Sequence, residues 1–293
     1  MTALRTILGD IKLAHSIFAL PFAAIGLLLG TRGAAPGWLL GAQIVAAMVF
    51  ARSSAMAFNR LADTRFDATN PRTRGRALPS GRVSRRAMVI FCVITALGFV
   101  GVAASLSMIC LALSPLVLVV LFGYSLAKRA TPLAHVAVGL ALSLAPPGAY
   151  LAARGSVGDD VVTVLWFAMA VLLWVAGFDV IYACQDVEHD RTEGLHALPA
   201  KLGVARSLLI ARGLHVATVL ALVLGAQSLG LGTLSTVGIG LMTALLVVEH
   251  VLVSPSDLSR VNAAFFTVNG VVALVFAAFV GTELSMRADQ LWQ

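Results

Sequence analysis

This sequence has little charge. Asp, Glu, Lys and Arg make up 12% of its 293 residues, while 59% are hydrophobic, and the mean hydropathy is +0.93. Soluble domains carry about a quarter charged residues, so the scarcity excludes a soluble globular protein and implies an integral membrane protein. Cysteine is scarce as well. Cys92, Cys110 and Cys184 lie in or beside apolar stretches without metal-ligand spacing. They read as small buried hydrophobes. The apolar/polar alternation of a membrane barrel is missing, which leaves a helical bundle, because an open sheet cannot cross lipid. The opening stretch MTALRTILGDIKLAHSIFALPFAAIGLLLG scatters charges ahead of its apolar run and has no small-residue cleavage site, so no cleavable signal peptide is expected.

What is present is a series of apolar runs. A span needs roughly 20 mostly apolar residues, and nine candidates meet that need: 13–31, 38–61, 86–106, 108–127, 132–152, 161–186, 205–226, 229–252 and 261–283. They form a single transmembrane domain over 1–293. Turn residues mark the breaks, as in TRGAAPG, RGSVGDD and SPSDLS. The stretch 86–127 is too long for one span and must break near Ser105–Ser107. With the N-terminus inside, the loops after the even-numbered spans hold Arg65, Arg72, Arg74, Arg76, Arg82, Arg85 and Arg86, then Lys128 and Arg129, then Arg191 and Lys201, then Arg260. The other side holds only Arg32, Arg154 and Arg287. This asymmetry places those loops in the cytoplasm. It also explains the net charge of +7 without a nucleic-acid partner.

The end of the second span gathers what charge there is. Asn59, Asp63 and Asp67 recur every four residues and form one stripe on a helix. Carboxylates one turn apart repel each other unless a cation lies between them. Local arginines would suffice. The sixth span, however, ends in the same way, with Asp186 and Asp190 in FDVIYACQDVEHD. Paired carboxylates on two helices at one membrane depth suit a hard divalent cation. Mg²⁺ takes one or two carboxylates and leaves positions for water and substrate phosphates. The four aspartates are therefore the candidate metal ligands for a diphosphate, with Arg72 and its neighbours neutralising the remaining charge. Arg52 and Asp179 lie seven residues before Asn59 and Asp186, on the same stripes and about 10 Å deeper. Ionisable groups at such depth are costly and mark function. They either bridge each other or line a polar cavity for a second substrate. In YSLAK, Tyr124 and Lys128 are also one turn apart, and both suit a phosphate.

Together these pieces resemble the UbiA superfamily of intramembrane prenyltransferases. NRLADTRFD fits that family's N-x-x-x-D-x-x-x-D, DVIYACQDVEHD its second aspartate motif, and YSLAK its Y-x-x-x-K; NPRTRGRALPSG looks like the loop after the first motif. The resemblance implies a helical bundle around a central cavity. It also implies Mg²⁺-dependent transfer of a prenyl group from a polyprenyl diphosphate to an acceptor, commonly aromatic. IKLAHSIFALPFA and the stretch from Asp179 to Gly203 look most like the 4-hydroxybenzoate branch, which includes enzymes that prenylate a dihydroxynaphthoate on the way to menaquinone. That branch implies an inner (cytoplasmic) membrane location. Asn59, Arg72, Tyr124 and Lys128 are then expected on the diphosphate, and Arg52 and Asp179 on the carboxylate and phenol of the acceptor. Tyr150, beside APPG, is the candidate aromatic wall for an allylic cation.

A transporter would also suit intramembrane Arg52 and Asp179, but the acid pairs gather at one face rather than at the midplane. The D-G and A-R signature of CDP-alcohol phosphotransferases is missing from both acid clusters. Within the family, haem, chlorophyllide or glycerol phosphate acceptors stay open. Glu249 and His250 read as a satisfied interfacial pair, His196 as a loop residue, and Lys12 and His15 as candidates to face the cavity.

Overall fold

The computed structural model describes residues 3–11 and 19–292. Lys12 and His15 lie outside them. Fifteen helical segments follow one another: α1 Ala3–Asp10, α2 Leu20–Gly30, α3 Trp38–Thr69, α4 Arg85–Leu106, α5 Met108–Ala127, α6 Ala134–Ser143, α7 Ala145–Arg154, α8 Val161–Ala183, α9 Val187–Thr192, α10 Leu198–Leu202, α11 Val204–Ser228, α12 Thr233–Leu252, α13 Val261–Ala263, α14 Asn269–Met286 and α15 Ala288–Leu291. A 3₁₀ turn at Cys184–Asp186 joins α8 to α9, and a π turn at Ala264–Val268 joins α13 to α14.

Sequence chemistry sets the breaks. Ser84 accepts from the Ala87 amide and starts α4. Ser107, in extended backbone, accepts from the Cys110 amide and starts α5, so the expected break in 86–127 falls at this one residue. A serine cap satisfies one of the amides that a helix N-terminus leaves unpaired. Pro146 and Pro147 occupy the first turn of α7, where a missing N–H costs little, and they divide the fifth span into α6 and α7. Gly155 closes α7 in the left-handed region, at φ 73°.

Among the described residues, eight helices are long and apolar enough to cross a membrane, with α6–α7 counted as one and α8 continued to Thr192. The ninth expected span, 13–31, is represented by the shorter apolar helix α2, and its first residues fall outside the described ones. The second and sixth spans run past their expected ends, to Thr69 and Thr192, and carry their aspartates on continuous helical rods. The helices pack in a closed order of neighbours: α3–α4–α5–α6–α8–α11–α12–α14–α2–α7 and back to α3. α8 is the most enclosed span, with Val164, Phe167, Trp174, Val175, Ala176 and Val180 fully buried. α4 and α5 instead present Val93, Ile94, Leu97, Leu116 and Val119 outward. In water these side chains would form a large apolar patch; in lipid they meet their own solvent.

One close helix approach depends on glycine. A methyl group on Gly26 of α2 would fall 2.1 Å from the Pro146 carbonyl oxygen of α7. Backbone cannot yield there as a flexible side chain would, and overpacking costs about 1–3 kcal/mol. Gly26→Ala should therefore lower the thermal unfolding midpoint in detergent by several degrees, and an unchanged midpoint would show that α2 and α7 stand farther apart.

Candidate active site

The C-terminal halves of α3 and α8 face one cavity of about 830 Å³. On α3 its wall runs from Arg52 through Met56, Asn59 and Asp63 to Asp67; on α8 it runs from Phe178 and Asp179 through Tyr182 to Asp186, and on to Asp190 of α9. Helical periodicity brings these residues onto one face of each rod. The two acid pairs therefore share one end of the bundle and one space. α5 contributes Tyr124 and Lys128, and the loop 70–84 contributes Arg72 and Arg76.

At the rim, basic groups hold three of the four carboxylates. Lys128 Nζ lies 3.1 Å and Arg129 Nη2 3.3 Å from Asp63, which is 3% exposed. Arg76 Nη1 donates to both oxygens of Asp67, at 2.7 and 2.8 Å. Arg72 donates to Asp186 through Nε at 3.0 Å and through a second, shorter bond from Nη2. Its Nη1 donates to the Tyr182 hydroxyl at 2.8 Å. Burial opposes the charge on Arg72, but the hydrogen bond and charge of Asp186 outweigh it and raise the guanidinium above its ordinary pKa. Asn59 Nδ2 donates to Asp63 at 3.2 Å. So the loop arginines sit on the carboxylates themselves rather than beside them, and among the described residues no three acids, histidines or cysteines gather closely enough to form a metal cluster.

The floor differs from the rim. Arg52 and Asp179 both line it, yet they do not bridge each other. Asp179 Oδ2 instead meets His135 Nδ1 at 2.7 Å. His135 Nε2 faces the Leu198 amide at 3.3 Å. That amide is a donor, so Nε2 accepts and Nδ1 carries the proton toward Asp179. Among the described residues Arg52 forms no ion pair, and its buried Nε has no hydrogen-bond partner. Arg52, Met56, Tyr124 and Leu142 also line a second, apolar cavity of about 270 Å³, which continues between α3, α4, α5 and α7 past Phe99, Cys110 and Val117. The polar and apolar spaces meet at these four residues. Tyr124 thus sits at the junction, a turn below the rim, with its hydroxyl 3.9 Å from Met56 Sδ. Cys110 lines the apolar space and is only partly buried.

Two expectations are corrected. Tyr150 does not reach the polar cavity. It lies midway along α7, outside that cavity's lining, and its hydroxyl donates to Asp160 in a short bond. Its aromatic character misled; the acid ten residues away, beyond a glycine turn, gives the hydroxyl its partner. Glu249 is not interfacial. It is fully buried and accepts from Asn269 Nδ2 at 2.8 Å, while His250 Nε2 faces His215 Nδ1 at 3.0 Å. Sequence reasoning missed His135, Asn70, Arg60 and Arg129. Asn70 donates to Asp186, and Arg60 pairs with Asp10. Only their charge or polarity at a span end could have signalled them, and many residues share that.

The sequence profile of the UbiA prenyltransferase family matches residues 19–271. The chain belongs to that family. A curated relative, the 4-hydroxybenzoate octaprenyltransferase of Aliivibrio fischeri, is 29% identical over 97% of this chain and 96% of its own length. Another of the same name, from Aeromonas salmonicida, is 30% identical over 83% of this chain and 82% of its own. The apo structure of a UbiA homologue from Aeropyrum pernix K1 is 34% identical, with a TM-score of 0.83 over 94% of this chain and 98% of that one. A UbiA homologue from Archaeoglobus fulgidus, solved with DMAPP and Mg²⁺, shares the fold at a TM-score of 0.73 and 20% identity, over 96% of this chain and 99% of that one. The chain is thus a multi-pass membrane prenyltransferase of the UbiA type.

Tyr150 supplies the test of the correction. Tyr150→Phe removes a hydrogen bond to a charged group, on the order of 1.5–3 kcal/mol. It should lower thermal stability yet leave prenyl transfer within about twofold of wild type, because the ring is remote from the cavity. A large loss of kcat in a stable variant would return Tyr150 to the site.

Proposed function

We propose that this enzyme transfers a polyprenyl group from a polyprenyl diphosphate to an aromatic carboxylic acid bearing a phenolic hydroxyl, 4-hydroxybenzoate or a dihydroxynaphthoate, in quinone biosynthesis. One observation carries the reading: Arg52 stands on the cavity floor without an anionic partner among the described residues. A guanidinium so placed is costly unless an anion arrives with the substrate. A carboxylate on a flat ring fits its planar fork. The name shared by the curated relatives supports the same acceptor. The arginine-rich loops support an inner (cytoplasmic) membrane with the cavity open to the cytoplasm.

The donor set at the rim, carboxylate oxygens only, suits Mg²⁺. Asp63, Asp67, Asp186 and Asp190 would hold it. Bound Mg²⁺ would withdraw charge from the departing diphosphate. Asp63, Asp67 and Asp186, on turning to a metal, would free their basic partners, so Arg72, Arg76 and Lys128 would pass from aspartate to phosphate oxygen without losing an anion. Asn59 lies among them as a neutral donor. Tyr124 stands where the diphosphate end meets the apolar space, and the prenyl tail runs into that space.

Transfer then needs three things of the chain. The arginines and Lys128 hold the diphosphate as the allylic C–O bond breaks and its electron pair leaves with the phosphate. Arg52 holds the acceptor so that an electron-rich ring carbon faces the allylic carbon, and one new C–C bond forms. Asp179, its carboxylate fixed by His135, orients the phenol and takes a proton as the ring regains aromaticity.

Arg52→Lys keeps the charge and loses the fork. It should lower kcat/KM for the aromatic acid by about 1–3 kcal/mol. Asp179→Asn should lower kcat instead. The deciding comparison sets the acid against the plain phenol or naphthol: wild type should favour the acid, and Arg52→Ala should lose that preference. Equal preference in both proteins would remove Arg52 from the acceptor. Chelation with EDTA should abolish transfer and Mg²⁺ restore it; full activity in EDTA would overturn the metal reading.

A further inference from the structure

The buried polar cluster behind the cavity has no part in the steps above. Asn269 is fully buried, and its amide is spoken for on both sides. Oδ1 accepts from Trp174 Nε1 at 2.7 Å; Nδ2 donates to Glu249 Oε1 at 2.8 Å and to the Ala264 carbonyl at 3.1 Å. Indole N–H is a donor only, so the amide has one orientation. Trp174, Glu249 and Asn269 are all 0% exposed and come from three helices, α8, α12 and α14. They converge on the π turn Ala264–Val268. A π turn inserts a residue into a helix and leaves carbonyls poorly paired, and such turns gather at functional sites. Here Asn269 answers the carbonyl that opens the turn.

The turn carries Phe265 and Phe266, and both line the polar cavity. Phe265 lies 4.3 Å from the Tyr182 ring and 5.1 Å from that of Phe178, and the two phenylalanines are 4.6 Å apart, edge to face. On α8, Tyr182 sits between Asp179 at the floor and Asp186 at the rim, which are seven residues or about 10 Å apart. The aromatic wall thus stands at the level between the proposed diphosphate and the proposed acceptor carboxylate. When the allylic C–O bond breaks, positive charge appears at that level, and ring faces attract a desolvated cation.

We propose that Phe265 and Phe266, held by the Glu249–Asn269 brace on the π turn, form the wall that stabilises the allylic cation, with Asn269 and Glu249 as positioning residues. This rests on the prenyl diphosphate reading above. Phe265→Leu/Phe266→Leu removes the rings and should lower kcat by roughly 10- to 30-fold, with the KM for geranyl diphosphate within about threefold. Asn269→Asp has at most one O–H in place of the amide's two N–H donors, so it cannot serve both Glu249 and Ala264, and it should give a similar loss that does not add to the first. Glu249→Gln keeps an acceptor of the same shape and should stay near wild type, whereas Glu249→Leu should not. A merely structural brace would change stability in these variants without changing charge preference. The second readout is therefore binding of a geranyl trimethylammonium ion against its uncharged carbon isostere, each with inorganic diphosphate and Mg²⁺. Wild type should prefer the cation by about tenfold or more, and the leucine and Asn269→Asp variants should lose that preference. If wild type transfers geranyl groups but shows no preference, or if the double leucine variant keeps both preference and kcat, the proposal is overturned and the prenyltransferase reading stands. If wild type neither binds nor transfers geranyl diphosphate, that reading fails and takes the wall with it. Should Asn269→Asp not fold, the leucine pair and Glu249→Gln decide alone.

Discussion

The structure depends on one constraint: a charge taken into a membrane bundle must find a partner there or wait for one. Burying an ion costs several kcal/mol even after relaxation, and this chain has few ions to place. It sets them on the cavity-facing stripes of two long helices and covers most with counter-charges. Asp63 faces Lys128 and Arg129, Asp67 faces Arg76, and Asp186 faces Arg72. The rods α3 and α8 run past the apolar core so that these groups lie at the end of the bundle, where loop 70–84 can reach them. Among the described residues Asp190 has no paired base at this rim, and Arg52 has no anionic partner; the latter gives the cavity floor its chemical meaning.

A rim already neutral in this way is ready to exchange partners. In the proposed reaction the carboxylates and arginines would hold one another until a metal and a diphosphate arrive together. Each sign would then meet a new counter-ion, and little net charge would be moved into low dielectric. Arg72 shows the stakes. Its guanidinium is bound at once to Asp186 and Tyr182 and lies 5.2 Å over the Tyr182 ring, so releasing it also loosens an aromatic that belongs to the inner wall. In the proposed reaction, diphosphate capture and the shape of the wall would therefore be linked.

Much of this was legible in the sequence, and for physical reasons. Span length and helical period are rigid rules, so the apolar runs and the stripes Asn59–Asp63–Asp67 and Asp186–Asp190 could be read directly. The break at Ser107 was legible because two spans cannot share one rod. What resisted reading was partner choice across helices. His135 is forty-four residues from Asp179, and no periodicity ties them. The pairing of Arg52 with Asp179 suggested itself because both lie two turns below a motif, yet depth alone does not say which way a side chain turns. Tyr150 failed likewise: its neighbour Asp160 lies beyond a turn, and proximity along the chain to APPG said nothing about which partner its hydroxyl takes. The π turn has no sequence signature at all. Asn269 looks like any polar residue in an apolar span until its three hydrogen bonds are known.

The two cavities explain why polar and apolar demands can be met within a few ångströms. A charged head needs the rim, while a long hydrocarbon tail gains about 0.8 kcal/mol for each CH₂ kept from water. The meeting point at Arg52, Met56, Tyr124 and Leu142 divides these solvents. In the proposed reaction the allylic carbon would lie between them, and a cation there must meet the acceptor before it meets water. The proposed reaction needs both an apolar space on the tail side and a charged rim on the diphosphate side. Neither alone would suffice, since an open polar cavity would admit water and a purely apolar one could not hold the diphosphate. The guanidinium of Arg52, without an anionic partner among the described residues, would then have a second consequence in the proposed reaction: an acceptor carboxylate that meets it would also close the cavity from below, so the carboxylate that binds best would be the one that leaves least room for water.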